Sequence, residues 1–146
     1  MASFHFRLER VLRLRQTQLA IEEAKQKKLL QEQVKLQTFG AQVGVEKTRL
    51  STSLGTLPDM RGEDLRAMTA YSLRLKKFAE NLAAQVARCE RDLAAQRKKC
   101  REAERRVRLL EELKTRKAAD WRYEQDHELE VLASEAYLAN WDRDRL

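Results

Sequence analysis

Between Leu65 and Leu110, apolar side chains recur at alternating intervals of three and four residues. Fourteen positions follow this heptad series, and twelve of them are apolar. Such a repeat places one apolar stripe along an α-helix and favours a left-handed coiled coil with a partner helix. We call these positions the heptad seam: Leu65, Met68, Ser72, Leu75, Ala79, Leu82, Val86, Cys89, Leu93, Gln96, Cys100, Ala103, Val107 and Leu110.

The residues that interrupt helices are few and clustered. The chain of 146 residues has one Pro and four Gly, too few for the turns of an all-β sandwich or barrel. Pro58 lies between Gly55 and Gly62, whereas Gly40 and Gly44 lie inside a continuing apolar pattern. We therefore predict an all-α chain with a single domain over residues 1–146. Helix 1 covers about 4–54, a turn covers 55–63 with Gly55 as the helix cap, and helix 2 covers about 64–139.

A short turn makes the two predicted helices antiparallel, with residue i opposite about residue 117 − i. Helix 1 supplies the facing series Leu8, Arg15, Glu22, Leu29, Leu36, Val43 and Leu50. Its stretch 22–28 is almost wholly polar, so we expect looser packing there. Residues after about Lys117 have no partner. The predicted fold is an antiparallel coiled-coil hairpin with a C-terminal helical overhang.

Charge is distributed unevenly along this hairpin. The chain carries 30 Lys and Arg against 23 Asp and Glu, a net charge of +7. Residues 1–20 sum to +3 and residues 98–117 to +5, and the register places these two segments, the basic collar, side by side. Residues 118–146, the acidic overhang, sum to −5. Either these charges only keep a helical surface solvated, or the collar binds an acidic partner.

The sequence offers no arrangement for catalysis, and we predict neither enzyme activity, a metal nor a cofactor. His5 and His127 lie on different helices, and no Gly-rich phosphate loop precedes a Lys. Cys89 and Cys100 are 11 residues apart on one helix, about 16 Å, which is too far for a disulfide between them. We favour buried thiols over an intermolecular bridge. No segment has the apolar length of a membrane span or signal peptide, so the predicted location is the cytoplasm.

Both ends of the chain carry motifs of a known family. Residues 4–9 read Phe-His-Phe-Arg-Leu-Glu and lead into Val-Leu-Arg-Leu-Arg at 11–15. Ala103, the Leu110-Glu111 pair and Leu-Lys-Thr-Arg at 113–116 follow in helix 2, before an acidic amphipathic segment at 121–133. In these motifs, their order and the two-helix layout, the chain resembles the FliJ family of flagellar export proteins. Residues 16–19, Gln-Thr-Gln-Leu, depart from the family by lacking acidic side chains.

The resemblance implies a non-enzymatic part of the type III export apparatus, located in the cytoplasm and peripheral to the inner membrane. Family members form a two-helix coiled coil similar to the γ-subunit stalk of ATP synthase. They bind the hexameric export ATPase and the FlhA export gate, and they have been described as export chaperones that handle escort proteins. The YscO family of injectisomes shares the architecture, so flagellum and injectisome both stay open.

Candidate contact residues follow from charge, exposed aromatics and the resemblance together. Two helices side by side are about 20 Å across, thin enough to enter or cap an ATPase ring at the open end of the hairpin. For this contact we select Arg7, Arg10, Arg13, Lys114, Lys117 and, as an apolar anchor, Trp121. For the export gate the half nearer the turn offers three aromatics that would otherwise pack in the seam: Phe39, Tyr71 and Phe78.

Two other functions compete with this one. A basic helical protein could bind nucleic acid, which requires Lys and Arg along one face. The cations at 97–108 instead point around the helix and are interrupted by Glu102 and Glu104, so we predict no nucleic-acid partner. The third possibility is a generic structural coiled coil that forms a homo-oligomer.

Overall fold

The computed structural model describes residues 2–56 and 61–146, and it is all-helical over these ranges. Helix α1 comprises Glu9–Thr56 (48 residues) and helix α2 comprises Gly62–Arg145 (84 residues). No strand occurs in either described range. Two long helices packing against each other confirm the all-α, two-helix part of the predicted fold.

Both helix starts have a physical explanation in the local sequence. Helix α1 begins at Glu9, five residues later than the pattern suggested, and the Glu9 N–H donates to the Phe6 carbonyl at 3.2 Å. Phe6 lies outside the helix and is buried, so this aromatic residue packs in the core without continuing the helical repeat. Helix α2 begins with Glu63 and Asp64 in its first turn, where the helix dipole favours negative charge.

The C-terminus of α2 lies farther along than predicted. The helix continues past Ala139 to Arg145, and Arg143 and Arg145 occupy its last turn. Positive charge is favourable at this end of the dipole. No Gly or Pro follows Gly62 in the sequence, so nothing in the backbone interrupts α2 earlier.

The predicted cap at Gly55 is wrong. Gly55 is part of α1, which continues to Thr56, and no described glycine has the positive φ of a left-handed cap. A glycine within a helix costs only about 1 kcal/mol relative to alanine, which is too little to end a long helix by itself. Of the predicted turn at 55–63, residues 57–60 lie outside the described ranges.

By its internal contacts the chain divides into two compact units. The first comprises Met1–Leu19 with Glu102–Leu146, and the second comprises Ala20–Arg101. Each has its own small core. Buried residues of the first are Phe6, Leu12, Ala103 and Val107, and those of the second are Val43, Leu82, Cys89, Leu93, Gln96 and Cys100.

The buried residues of α2 are all members of the heptad seam. Leu82 and Leu93 are 8% and 3% exposed, which confirms the prediction that both are buried. At the start of the series the pattern overstates burial, because Leu65 is 50% exposed and Ser72 is also exposed. In the Ala20–Arg101 unit, the Cys89 Sγ atom donates to the Leu29 carbonyl at 3.6 Å, and Gln96 hydrogen-bonds to Glu22.

Candidate functional site

A polar pair lies inside the packed seam of the Ala20–Arg101 unit. The Gln96 side chain is 7% exposed, and its Nε2 atom donates to the Glu22 carbonyl oxygen at 3.0 Å and to the Glu22 carboxylate. The Lys25 ammonium lies 3.6 Å from the other carboxylate oxygen. The Gln96 hydrogen bond, assisted by Lys25, lowers the pKa of the Glu22 carboxyl group. A buried amide with a specific partner fixes which residues of the two helices face each other.

Both cysteines are buried, as predicted. Burial raises the pKa of the Cys89 thiol, and the nearby carboxylates of Glu32, Asp92 and Glu90 raise it further. Because the thiolate is the reactive form, this environment makes Cys89 a poor nucleophile. Cys100 lies beside Gln96, with 4.0 Å between the Gln96 Nε2 and Cys100 Sγ atoms. These thiols therefore act as small apolar core groups.

Of the basic residues proposed to contact an ATPase, four are exposed and one is engaged within the chain. The exposed four are Arg7, Arg10, Arg13 and Lys117. The fifth, Lys114, forms an ion pair with Glu9, with 2.9 Å between Nζ and Oε2. Glu9 is already counted in the +3 of residues 1–20, so this contact leaves the net charge of the collar unchanged but engages the Lys114 ammonium within the chain. Glu9 was missed as a partner because the register of 117 − i places Arg108, and not Lys114, opposite Glu9.

Trp121 is half-buried against the N-terminal segment. Its ring centroid lies 6.2 Å from that of Phe4, with 51° between the ring planes. A cavity of about 590 Å³ lies beside the pair, and Arg7, Lys117 and Glu124 contribute to its lining. The residues before α1 therefore occupy part of the Trp121 surface that the sequence analysis assigned to a partner.

The C-terminal part of α2 is a continuous helix without cover. Every residue from Asp126 to Leu146 is exposed, so this end does not fold back to bury its aromatics. Tyr123 stacks on His127 with ring centroids 6.4 Å apart and 3° between the planes. The Arg145 guanidinium lies 4.2 Å from the Trp141 ring centroid, a cation–π contact. These local pairs leave the apolar groups of this segment in contact with solvent.

The three candidate gate residues are exposed aromatics. Phe39 lies on α1, Tyr71 and Phe78 lie on α2, and each exposes between 43% and 51% of its surface. None of them packs in the seam, which was the alternative role. Exposed aromatic rings have a high potential for contacts with other proteins.

Within the described ranges, no group of three or more His, Cys, Asp and Glu side chains is arranged to hold a metal ion. No described helix combines the length and apolarity needed to span a membrane. Comparisons with protein families, with curated proteins and with solved structures give no match to this chain.

Proposed function

We propose that the chain is an antiparallel coiled-coil stalk of a type III protein export apparatus, similar to FliJ, without enzyme activity. Its open end binds the hexameric export ATPase. The half nearer the turn binds the FlhA export gate, and export chaperones associate with the stalk. In this role the protein couples two machines mechanically.

Two contacts support the antiparallel arrangement. Glu22 contacts Gln96, and Leu29 contacts Cys89. Moving seven residues forward in α1 therefore corresponds to moving seven residues back in α2. In both pairs the two residue numbers add up to 118, one more than the sum of 117 expected from the sequence. Seven residues make up one heptad, so the same heptad position faces the partner helix in both pairs.

The observation that carries the proposed function is the chemistry of the Met1–Leu19 and Glu102–Leu146 unit. It combines exposed arginines of early α1 with Lys117 and a fully exposed helical segment from Asp126. Clustered positive charge increases the association rate with an acidic surface and makes binding dependent on salt. The exposed apolar residues that follow supply contact area, which charge alone does not provide.

A charge reversal tests the ATPase contact. We expect the variant Arg7→Glu, Arg10→Glu, Arg13→Glu, Lys117→Glu to lose most of its affinity for the purified export ATPase and its stimulation of ATP hydrolysis. Lys114 is left unchanged because reversing it would also break its ion pair with Glu9. Each exposed charge contributes little alone, about 0.2–1 kcal/mol, so the four are changed together.

The matched control reverses four exposed cations of the other unit: Lys27, Arg66, Lys76 and Lys77. It has the same net charge as the test variant and should bind the ATPase like the unmodified chain. Circular dichroism establishes that both variants keep their helicity. Full ATPase binding by the first variant at low salt contradicts the proposal. If the unmodified chain shifts DNA in a gel and the charge-reversed variant does not, a nucleic-acid function is favoured over ATPase binding.

A further inference from the structure

The exposed end of α2 has the pattern of half a coiled coil. Leu129, Leu132 and Ala136 continue the three-and-four spacing beyond Trp121, and the two leucines are 64% and 60% exposed. We call residues 126–146 the terminal segment. It carries six acidic and two basic side chains. Asp126, Glu128 and Glu135 flank its apolar stripe, so the partner of this stripe needs basic side chains at its own flanks.

A surface with that chemistry lies on the outer face of early α1 in the same unit. Val11 and Leu14 are exposed there, one turn apart. Arg7 and Arg10 adjoin them, and the exposed Gln18 lies one turn after Leu14 along the same face. No acidic residue lies between Glu9 and Glu22, and Glu9 itself pairs with Lys114. This face is therefore apolar with purely basic flanks.

We propose that the terminal segment of one copy packs on the outer face of α1 in a second copy. Both surfaces belong to one unit, so a two-fold axis generates two identical contacts and closes the assembly as a dimer. The 21 residues of the segment extend about 30 Å, enough to cover the surface from Arg7, just before α1, to Gln18 within it. Pairing two terminal segments with each other instead would place carboxylates against carboxylates.

This dimer does not depend on the proposed export function and is tested on the purified chain alone. Its contact includes Arg7 and Arg10, so dimer formation and ATPase binding would compete for the same residues. Sedimentation velocity at low salt should show a concentration-dependent species of twice 17.1 kDa that dissociates at high salt. A monomer at all concentrations overturns the proposal, as does an open-ended series of larger species.

The apolar part of the contact has a matched pair of variants. Leu129→Ser with Leu132→Ser should raise the dimer dissociation constant at least about tenfold, since these side chains form the stripe. Val131→Ser with Leu138→Ser changes two exposed apolar residues on the opposite side of the same helix and should leave the constant unchanged. Equal effects of the two variants, or no effect of the first, overturn the proposal.

A charge exchange tests the pairing of the two surfaces. Arg7→Glu with Arg10→Glu should weaken the dimer about tenfold, and so should Glu128→Lys with Glu135→Lys. All four substitutions in one chain should restore it, because the acidic and basic flanks have then exchanged places. Failure of the combined variant to recover dimer formation, with helicity intact, overturns the contact. A chain that stays monomeric could instead bind another basic protein through its terminal segment. That result would assign the segment to the other protein and would also overturn the proposed dimer.

Discussion

Two stretches of α2 carry the same apolar repeat but bury different amounts of it. From Leu82 to Val107, seven of the eight seam positions are buried, and Val86 is half-buried. From Gly62 to Phe78 no residue is buried, although Leu65, Met68 and Leu75 continue the series. Helicity is the same in both. The comparison shows that the repeat specifies the orientation of a helix face, whereas the facing residues determine how deeply it is buried.

The facing residues differ because the second half of α1 is rich in small and hydroxyl side chains. Gly40 lines a cavity of about 370 Å³ together with Ala79 and Ala83. Farther along, the Thr48 and Ser53 hydroxyls donate to backbone carbonyls four residues earlier, at 3.0 and 2.9 Å. Such side chains satisfy their own helix and offer little apolar area to a neighbour. With residue numbers that sum to 118, Ser53 lies opposite the half-exposed Leu65 and offers it little apolar area.

Truncating leucines in the two stretches should give the largest difference. We expect Leu93→Ala, or Leu82→Ala, to lower the free energy of unfolding by about 2–3 kcal/mol, the low end for buried leucines, because a two-helix seam is only partly enclosed. Leu65→Ala should cost less than about 0.5 kcal/mol, since that side chain is already half in solvent. Urea denaturation measures both. Equal losses at Leu65 and Leu93 would remove the distinction between the stretches.

Replacing a glycine of α1 by alanine should change the free energy of unfolding less than the leucine truncations do, and in the opposite direction. A Cβ atom built at Gly40 meets nothing within 4 Å, so alanine fits without movement. Gly40→Ala should stabilise the chain by about 1 kcal/mol through helix propensity. The reverse change at the neighbouring exposed residue, Ala41→Gly, should destabilise it by about the same amount. A loss of stability in Gly40→Ala would mean that the glycine has a packing role that these contacts do not contain.

The smallest expected effect is a difference in acid sensitivity within the well-buried stretch. The folded-state pKa of Glu22 lies below its ordinary value of 4.5, so its carboxylate stabilises the fold at neutral pH and loses that contribution as pH falls through the folded-state pKa. Glu22→Gln should therefore lower thermal stability at neutral pH and narrow the gap to the unmodified chain in acid. Glu23→Gln, at the adjacent exposed position, is the control. Parallel pH profiles for the two variants would contradict the role of Gln96.

The buried half of the seam was predictable from the sequence, whereas the contacts of its ends were not. Cys89 and Leu93 follow from the heptad count alone, and the register of 117 − i brings Glu22 within one residue of Gln96. The ion pair between Glu9 and Lys114 depends on where α1 begins, and that depends on Phe6 entering the core from outside a helix. The apolar periodicity of a helix cannot predict the burial of a residue that lies outside that helix. Nor does the periodicity predict the contact between Trp121 and Phe4, because that contact joins a helix to a non-helical segment.

The proposed function assigns different partners to the two ends of the proposed stalk, and site-specific photo-crosslinking tests this assignment most directly. A photoreactive amino acid replaces Arg10 in one variant and Phe78 in another, each in the full chain with the export ATPase and the FlhA gate present. Both positions are exposed, so the substitution leaves the seam intact. We expect position 10 to crosslink to the ATPase and position 78 to FlhA. Crosslinks from both positions to the same protein, or to neither, would contradict it.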